Sequence, residues 1–304
     1  MQLQYGIIES MMMFNESEKS PYSASFLVLL YNKKIQHSNT LNQFLDSKLS
    51  FAHCQLTIWN NGPNSLLNQD VADFEALGFS VSIVETLENR SLAKIYNQFV
   101  DSVESDKYVI LDDDSILNDD YLTDVLAANT DEVCIPIIRM NDEVKGPRIN
   151  KKIVLAPSQF TNRARISAIG SGMVFGAKIA SMLKQQESTV FDERFFFYGV
   201  DTTFFLRLNR SDEEFPLRVI NSFSHSLSRY EKESEKVRAF RKRERSCTVA
   251  LCLRHYKPMV NGALLYTQYM LSSATKALTG KETKIDFKAF TQAYVSGKHY
   301  RERD

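Results

Sequence analysis

Apolar residues enter the first third of the chain in short blocks separated by polar turns. Ala24 to Tyr31 is a continuous apolar run that closes on polar Asn32-Lys33-Lys34, the pattern of a strand buried on both faces. From Thr40 to Leu49 the apolar positions Leu41, Phe44, Leu45 and Leu49 follow helical spacing. Gln55 to Trp59 reads as a second strand, closed by the turn signal Asn60-Asn61-Gly62-Pro63. Val71 to Leu77 predicts a helix that Gly78 ends, and Phe79 to Val84 alternates like a strand. Leu92 to Val103 is helical again. Tyr108-Val109-Ile110-Leu111 is a fourth strand that runs straight into Asp112-Asp113-Asp114.

Strands alternating with helices predict βαβ units and a parallel sheet, with right-handed crossovers that point the strand ends the same way. Ligands of such sheets bind outside the carboxyl ends of the strands. Three polar clusters sit there, Tyr31-Asn32, Asn60-Asn61 and Asp112 to Asp114, so they are expected to converge in space. The second half is less regular. Residues 133–138 read as a strand in which Pro136 favours an edge or a bulge. Residues 139–165 look like a loop or β-ribbon rich in Lys and Arg, and Gly170, Gly172 and Gly176 punctuate the next segment. Phe191 to Leu208 is aromatic-rich and then helical. From about Ser228 the sequence turns charged and helix-favouring. The expected organisation is a main α/β domain over 1–227, with an irregular lead-in over 1–22, and a basic helical extension over 228–304. There is no internal repeat.

Composition narrows the classes. At 304 residues and 43% hydrophobic, the chain fits one large domain or two modest ones with a real core. Lys plus Arg and Asp plus Glu balance at 37 each, so nothing draws the whole protein to nucleic acid. Cys54, Cys134, Cys247 and Cys252 lack paired metal spacing and read as reduced, partly buried thiols. The N-terminus MQLQYGIIES lacks the basic start and long apolar stretch of a signal peptide. No run approaches the roughly 18 apolar residues of a membrane span. The expectation is a cytoplasmic protein, with peripheral contact at the inner face of the plasma membrane as an option.

Three consecutive aspartates after a buried strand raise one another's pKa, and a cation relieves them. Oxygen ligands suit Mg²⁺ or Mn²⁺, whose shell a diphosphate would complete. The competing reading is a solvated turn leading into Asn118-Asp119-Asp120; the buried strand and the neighbouring clusters favour a site. Asp201 follows the aromatic patch Phe195-Phe196-Phe197-Tyr198. It reads either as a general base with a raised pKa or as the N-cap of the next helix. His225 is a ligand candidate, although a lone His is more often packed or on the surface. The glycines make no phosphate loop, because no G-K-[ST] follows; a turn lining the site is the modest reading. Lys236 to Arg245 is either a solvated helical face, offset by nearby glutamates, or a contact to phosphate or anionic lipid. Leu264 to Leu278 is amphipathic.

In order along the chain, these residues resemble the family 2 glycosyltransferases of bacterial polysaccharide synthesis, including rhamnosyltransferase-like members, over about residues 24 to 256. Leu30-Tyr31-Asn32-Lys33 is similar to the first-strand signature beside the nucleotide base. Ile58-Trp59-Asn60-Asn61-Gly62 is similar to the family's Asp-Asn-Gly-Ser turn, with Asn60 in place of Asp. Asn89 to Asn97 resembles its N-x-G-x-A-x-A-x-N helix start, with Ser91 replacing Gly. YVILDDDS, Tyr108 to Ser115, matches the D-x-D segment. Phe191-Asp192-Glu193 with Phe196, Tyr198 and Asp201 resembles F-D-E-x-F-F-x-Y-x-E-D-x-D, with Val200 for Glu and Thr203 for Asp.

The resemblance implies a GT-A type α/β fold with a mostly parallel central sheet and a C-terminal helical extension. It implies inverting, metal-dependent transfer from a uridine- or thymidine-linked sugar to a saccharide hydroxyl. The acceptor would be lipid-linked, in O-antigen or capsule synthesis. Tyr31, Asn32, Asn60, Asn61, Asn89, Lys94, Asp112 and Asp113 would bind the donor. Asp114, with Asp112 and His225, would hold Mn²⁺ or Mg²⁺. Asp201 would be the base, and Gly172 and Tyr198 would lie on the acceptor side. Two other readings stand beside it. Asp112-Asp113-Asp114-Ser115-Ile116-Leu117 also resembles the start of haloacid-dehalogenase-like phosphatases, although that motif follows a first strand and has Gly where Ser115 stands. The departures at Asn60 and Val200 leave room for an inactive nucleotide-sugar-binding scaffold.

Overall fold

The four strands predicted in the first half lie side by side. The computed structural model describes residues 21–66, 69–141, 143–225, 234–283 and 285–302. In it β1 (Ala24–Leu30), β2 (Cys54–Asn60), β3 (Phe79–Glu85) and β4 (Lys107–Asp112) form parallel ladders in the order β4-β1-β2-β3. Helices α1 (Asn39–Asp46), α2 (Ala72–Ala76) and α3 (Leu92–Ser102) link them. The chain continues through β5 (Ser115–Ile116), α4 (Asp119–Leu126) and β6 (Val133–Met140). A ribbon follows, made of β7 (Glu143–Gly146), β8 (Arg148–Ile149), β9 (Lys152–Ile153), β10 (Ser158–Thr161) and β11 (Ile166–Ser167). Then come β12 (Met173–Gly176), α5 (Ala177–Glu187), α6 (Val200–Arg210) and β13 (Pro216–His225). The main sheet runs β10-β13-β6-β12-β4-β1-β2-β3, with β12 antiparallel to both of its neighbours and β6 parallel to β13. β8, β9 and β11 form a separate small sheet.

Period-two alternation divides the core between the two faces of the sheet. Phe26, Val28 and Leu30 of β1 and Val109 and Leu111 of β4 pack with Leu41 and Phe44 of α1, Phe74 of α2 and Tyr121 and Leu122 of α4. Leu27 of β1 and Tyr108 and Ile110 of β4 face the other way, onto α3, α5 and α6. The C-terminal helices α7 (Glu235–His255), α8 (Met259–Leu278) and α9 (Phe287–Ser296) join that second core. Cys247 and Leu251 of α7 and Phe290 of α9 pack in the same cluster as Phe204 and Phe205. The expected boundary near Ser228 and nearly all of the 1–22 lead-in fall outside the described residues.

Two local expectations needed correction. The helix expected to reach Leu49 stops at Asp46, where Ser47 turns extended. Its hydroxyl donates to Asp119 Oδ1 at 2.5 Å instead of continuing the helix. Pro136 is not at an edge, since β6 lies between β13 and β12. The bulge alternative fits: the β13 register shifts between Ile220 and Phe223, and the ladder to β12 reaches no further than Cys134. The missing prolyl N–H therefore falls where the ladder is already interrupted.

The rings of Phe26, Phe44, Phe51 and Phe79 pack against one another at centroid distances of 4.3 to 6.1 Å. Phe44 pins α1 to the sheet through this cluster. Phe44→Ala is expected to cost about 3–5 kcal/mol of stability in urea denaturation. A loss below about 1 kcal/mol would mean that other contacts position α1.

Candidate active site

Asp112 is the last residue of β4, and the turn through Asp113 and Asp114 enters β5. β5 pairs with the end of β13, setting Ser115 opposite His225. The start of α1 grips this turn from the side. Ser38 caps α1 by accepting from Leu41 N at 3.2 Å, and its hydroxyl donates to the Asp113 carbonyl at 3.0 Å. Thr40 Oγ1 donates to the Asp112 carbonyl at 2.5 Å and accepts from Ser115 N at 3.0 Å. On the other side Ser171 Oγ accepts from Asp112 N at 3.0 Å and meets Ser115 Oγ at 3.0 Å; Ser115 Oγ meets His225 Nδ1 at 3.0 Å. Sequence reading passed over Ser38, Thr40, Ser115 and Ser171. Only Ser38 carried a local signal, as a cap residue before an apolar helical pattern.

Donor atoms of Asp112, Asp114 and His225 all lie within 4.8 Å of one another. His225 Nδ1 is 3.3 Å from Asp114 Oδ1, and Nε2 is 3.7 Å from Asp112 Oδ2. Burial, reinforced by Asp114 and Asp113 and opposed by His225, pushes the Asp112 carboxyl up to about 6. Asp114 is raised as well, chiefly by burial. Two crowded carboxylates and an imidazole on one side of an open cleft suit a divalent cation that keeps free positions for phosphate oxygens. Asp113, expected to bind the donor, also lines the cleft, where Lys33 Nζ binds its Oδ1 at 2.7 Å.

The cleft above the trio holds about 390 Å³ and is lined by Tyr31, Asp112, Asp113, Asp114, Tyr198, Asp201 and His225, among others. Tyr31 is half-exposed at 51%. Asp201 is not a helix cap. Gly199, at φ 87°, caps α6, and Asp201 is the second helical residue. Its Oδ1 accepts from Thr202 N at 2.6 Å, and burial raises its carboxyl above the ordinary range. Tyr198 is fixed through its carbonyl, which accepts from Thr248 Oγ1 at 2.9 Å. Gly172 lies behind the cleft instead of in it. Its N–H donates to the Ile110 carbonyl at 2.7 Å, its carbonyl accepts from Tyr121 at 3.0 Å, and Phe223 and Pro136 fill the space a Cβ would need. Gly170 and Ser171 line the cleft in its place.

The asparagines lie at the expected strand ends, but their amides are engaged within the protein. Asn60 donates to the Asn64 carbonyl at 2.7 Å and to Glu85 Oε1 at 2.8 Å, and accepts from Gly62 N at 3.0 Å. Glu85 is paired with Asn60 in register on β3. An Asp at 60 would set two carboxylates against each other, so the amide here is a physical consequence of Glu85. Asn61 accepts from Thr86 and Arg90 N and donates to the Arg90 carbonyl and Asn89 Oδ1. Asn32, at φ 51°, donates its N–H to the Gly62 carbonyl and accepts from Asn64. These residues hold the loop where a base contact was expected. Asn89 and Lys94 line a separate hollow of about 310 Å³ with Arg90 and Arg301.

The architecture is a GT-A type α/β fold, with the acidic turn at the carboxyl end of a central parallel strand. No family model matches the sequence, and no curated protein matches it. Among solved structures the chain is similar to S. aureus TarS 1–349, with a TM-score of 0.51 at 15% identity, covering 76% of this chain and 64% of that one. It is similar to the same protein in complex with UDP-GlcNAc, with a TM-score of 0.51 at 14% identity, covering 76% and 65%. The complex with UDP gives a TM-score of 0.50 at 15% identity, covering 75% and 65%. This chain thus spans less than two thirds of the length of those chains, and the likeness is one of fold.

The raised Asp112 carboxyl has a stability consequence. Its folded pKa lies above the ordinary 3.8. The stabilisation it gives is therefore complete below about pH 4 and is lost as pH rises through about 6. In chelator, Asp112→Asn is expected to melt higher than the parent above pH 7 and to converge with it near pH 4. A gap independent of pH would remove the Asp112 charge as its source.

Proposed function

We propose that this chain is an inverting, metal-dependent glycosyltransferase that moves a sugar from a uridine- or thymidine-linked diphosphate donor to a saccharide hydroxyl. The observation that carries this reading is the meeting of Asp112, Asp114 and His225 with Asp201 in one cleft at the carboxyl end of a GT-A sheet. The TarS chains of similar fold were crystallised with UDP-GlcNAc and with UDP, which supports the donor class. The GT-A fold counts against the phosphatase reading, whose aspartate follows the first strand of its sheet. An intact Asp201 counts against a purely inactive scaffold.

Asp112, Asp114 and His225 would hold Mn²⁺ or Mg²⁺, which when bound supplies positive charge for the diphosphate. Asp201 Oδ1 is occupied by Thr202 N, and Oδ2 has no hydrogen-bond partner among the described residues. That oxygen receives the proton of the acceptor hydroxyl. The hydroxyl oxygen forms a bond to the anomeric carbon as the bond to the diphosphate oxygen breaks on the opposite face. A raised pKa suits a base of this kind, since proton transfer is most effective with a pKa near the working pH. Phe191, Phe197 and Val200 line the same cleft and limit water around the carboxylate.

The test is a thermal-shift screen of nucleoside diphosphates and their sugars, with and without metal, followed by a transfer assay. One uridine or thymidine compound is expected to raise the melting temperature only with Mn²⁺ or Mg²⁺. Asp201→Asn should keep that shift while transfer falls roughly 10²–10⁴-fold, and Asp114→Ala should lose the metal dependence. No shift with any nucleotide would sink the donor assignment; full transfer by Asp201→Asn would sink the base.

We further propose that a lipid-linked acceptor is met at an anionic membrane surface. Among the described residues no helix is long and apolar enough to cross a membrane. α8 instead packs through Leu265, Tyr266 and Met270 and leaves Met259, Val260, Leu264, Leu271 and Leu278 exposed. It contains no Asp or Glu, and Lys257, Lys276 and Lys281 lie in or beside it, the composition of an interfacial helix. The exposed Lys236, Arg238, Arg243 and Arg245 of α7 add basic surface. Cosedimentation with phosphatidylglycerol vesicles is expected, falling about tenfold in a Leu264→Ser, Leu271→Ser double variant. Equal pelleting without vesicles, or binding that survives the double variant, would overturn the α8 surface.

A further inference from the structure

Asp201 stands where two hollows meet. The first is the cleft over the acidic turn. The second, about 530 Å³, opens from Asp201 and Tyr198 toward the ribbon, and its lining differs in charge. Ile135, Pro136 and Ile138 of β6 form an apolar wall, while Lys145, Arg148 and Arg245 supply cations. Among the described residues, Asp201 is the one carboxylate in that lining. Lys145 is ion-paired with Glu143. Arg148 and Arg245 are exposed, and neither has a carboxylate partner among the described residues. Arg245, on α7, lies over the Tyr198 ring at 5.0 Å, so it overhangs the junction of the two hollows.

Resting on the glycosyltransferase reading, we infer that the second hollow takes an acidic saccharide, whose carboxylate or phosphate is bound by Arg148 and Arg245 while its hydroxyl meets Asp201. Guanidinium forks match planar carboxylates and phosphates with paired, charge-assisted hydrogen bonds. A neutral sugar would accept only weaker hydrogen bonds from those guanidiniums, without the paired charge. The same charge pattern sets the orientation of the acceptor. Asp201 repels an anion, so the acidic group occupies the arginine end and the uncharged hydroxyl occupies the aspartate end. The Lys- and Arg-rich ribbon over 139–165 thereby gains a role, since β7 and β8 carry Lys145 and Arg148 to the rim. On α7, Arg245 reaches the same hollow.

The experiment is a calorimetric titration of the whole chain, without donor or metal, with three matched disaccharides: neutral, with one uronic acid, and with one 6-phosphate. At least one acidic form is expected to bind about tenfold more tightly than the neutral form, with the preference weakening in salt. The tighter of the two names the anion. Arg148→Gln and Arg245→Gln should each remove most of the preference without lowering the melting temperature. Asp201→Asn should strengthen acidic binding by removing the repelling charge. Equal binding of neutral and acidic forms, no binding of any form, or a preference that survives both arginine variants would overturn the inference. The nucleotide thermal shift is read on the same samples. A normal shift with no acidic preference would overturn the acceptor class alone; an acidic preference with no shift would overturn the transferase reading and keep an acidic-saccharide site.

Discussion

Three carboxylates on one turn are the constraint around which this protein is arranged. Left to themselves, Asp112, Asp113 and Asp114 would repel and protonate. The fold disperses the repulsion in two directions. Lys33 pairs with Asp113 at 2.7 Å, and His225 faces the other two. The backbone of the turn is held by Ser38 and Thr40 on one side and Ser171 on the other. For that grip α1 must start at a fixed place, and Phe44 fixes it by packing into a four-ring cluster. A run of like charge thus depends on an aromatic cluster in the core below it.

The second carboxylate site is positioned from outside the sheet. The segment ahead of Asp201 is tied down by buried Asp192. Burial would raise that carboxyl, but hydrogen bonds from Arg194 and Tyr256, with the charges of Arg194 and Arg207, bring it below the ordinary range. Tyr256 follows α7, and Thr248 of α7 holds the Tyr198 carbonyl. α7 is in turn locked by buried Glu244, held low by His299, Tyr300 and Arg301 against the opposing effect of burial. His299 stacks on Phe196 at 4.5 Å. The C-terminal helices are therefore part of the machinery that aims Asp201. Buried ion pairs of this kind add little net stability, but removing one partner leaves an uncompensated buried charge and is strongly destabilising.

The departures from the family pattern acquire physical reasons only in three dimensions. Asn60 is an amide because Glu85 sits beside it across two strands. Val200 is buried in the cleft wall, and Thr203 returns its hydroxyl to the Gly199 carbonyl at 2.7 Å within its own helix turn.

Local sequence was enough to determine the repeated strand-helix units, the parallel half of the sheet and the placing of polar clusters at its carboxyl end. Period-two and 3.6-residue patterns are short-range, and burial of one face enforces them wherever the helix or strand ends up. Asp112, Asp114 and Asp201 stood out for a related reason, since each follows an apolar or aromatic run, whereas His225, preceded by Asn221-Ser222-Phe223-Ser224, was singled out only by the resemblance. Tertiary structure alone decided that Lys33 pairs with Asp113, that Gly172 packs behind the cleft, and that the Asn60 and Asn61 amides bond across to Glu85, Thr86 and Arg90. It also decided the Ser171–Ser115–His225 hydrogen-bond chain and the arginine-lined hollow. These features bring together residues such as Asp112 and Ser171, which share a hydrogen bond, or Arg148 and Arg245, which line one hollow, that lie far apart in the chain. Their meeting depends on strand order and on helix docking, which no local periodicity encodes.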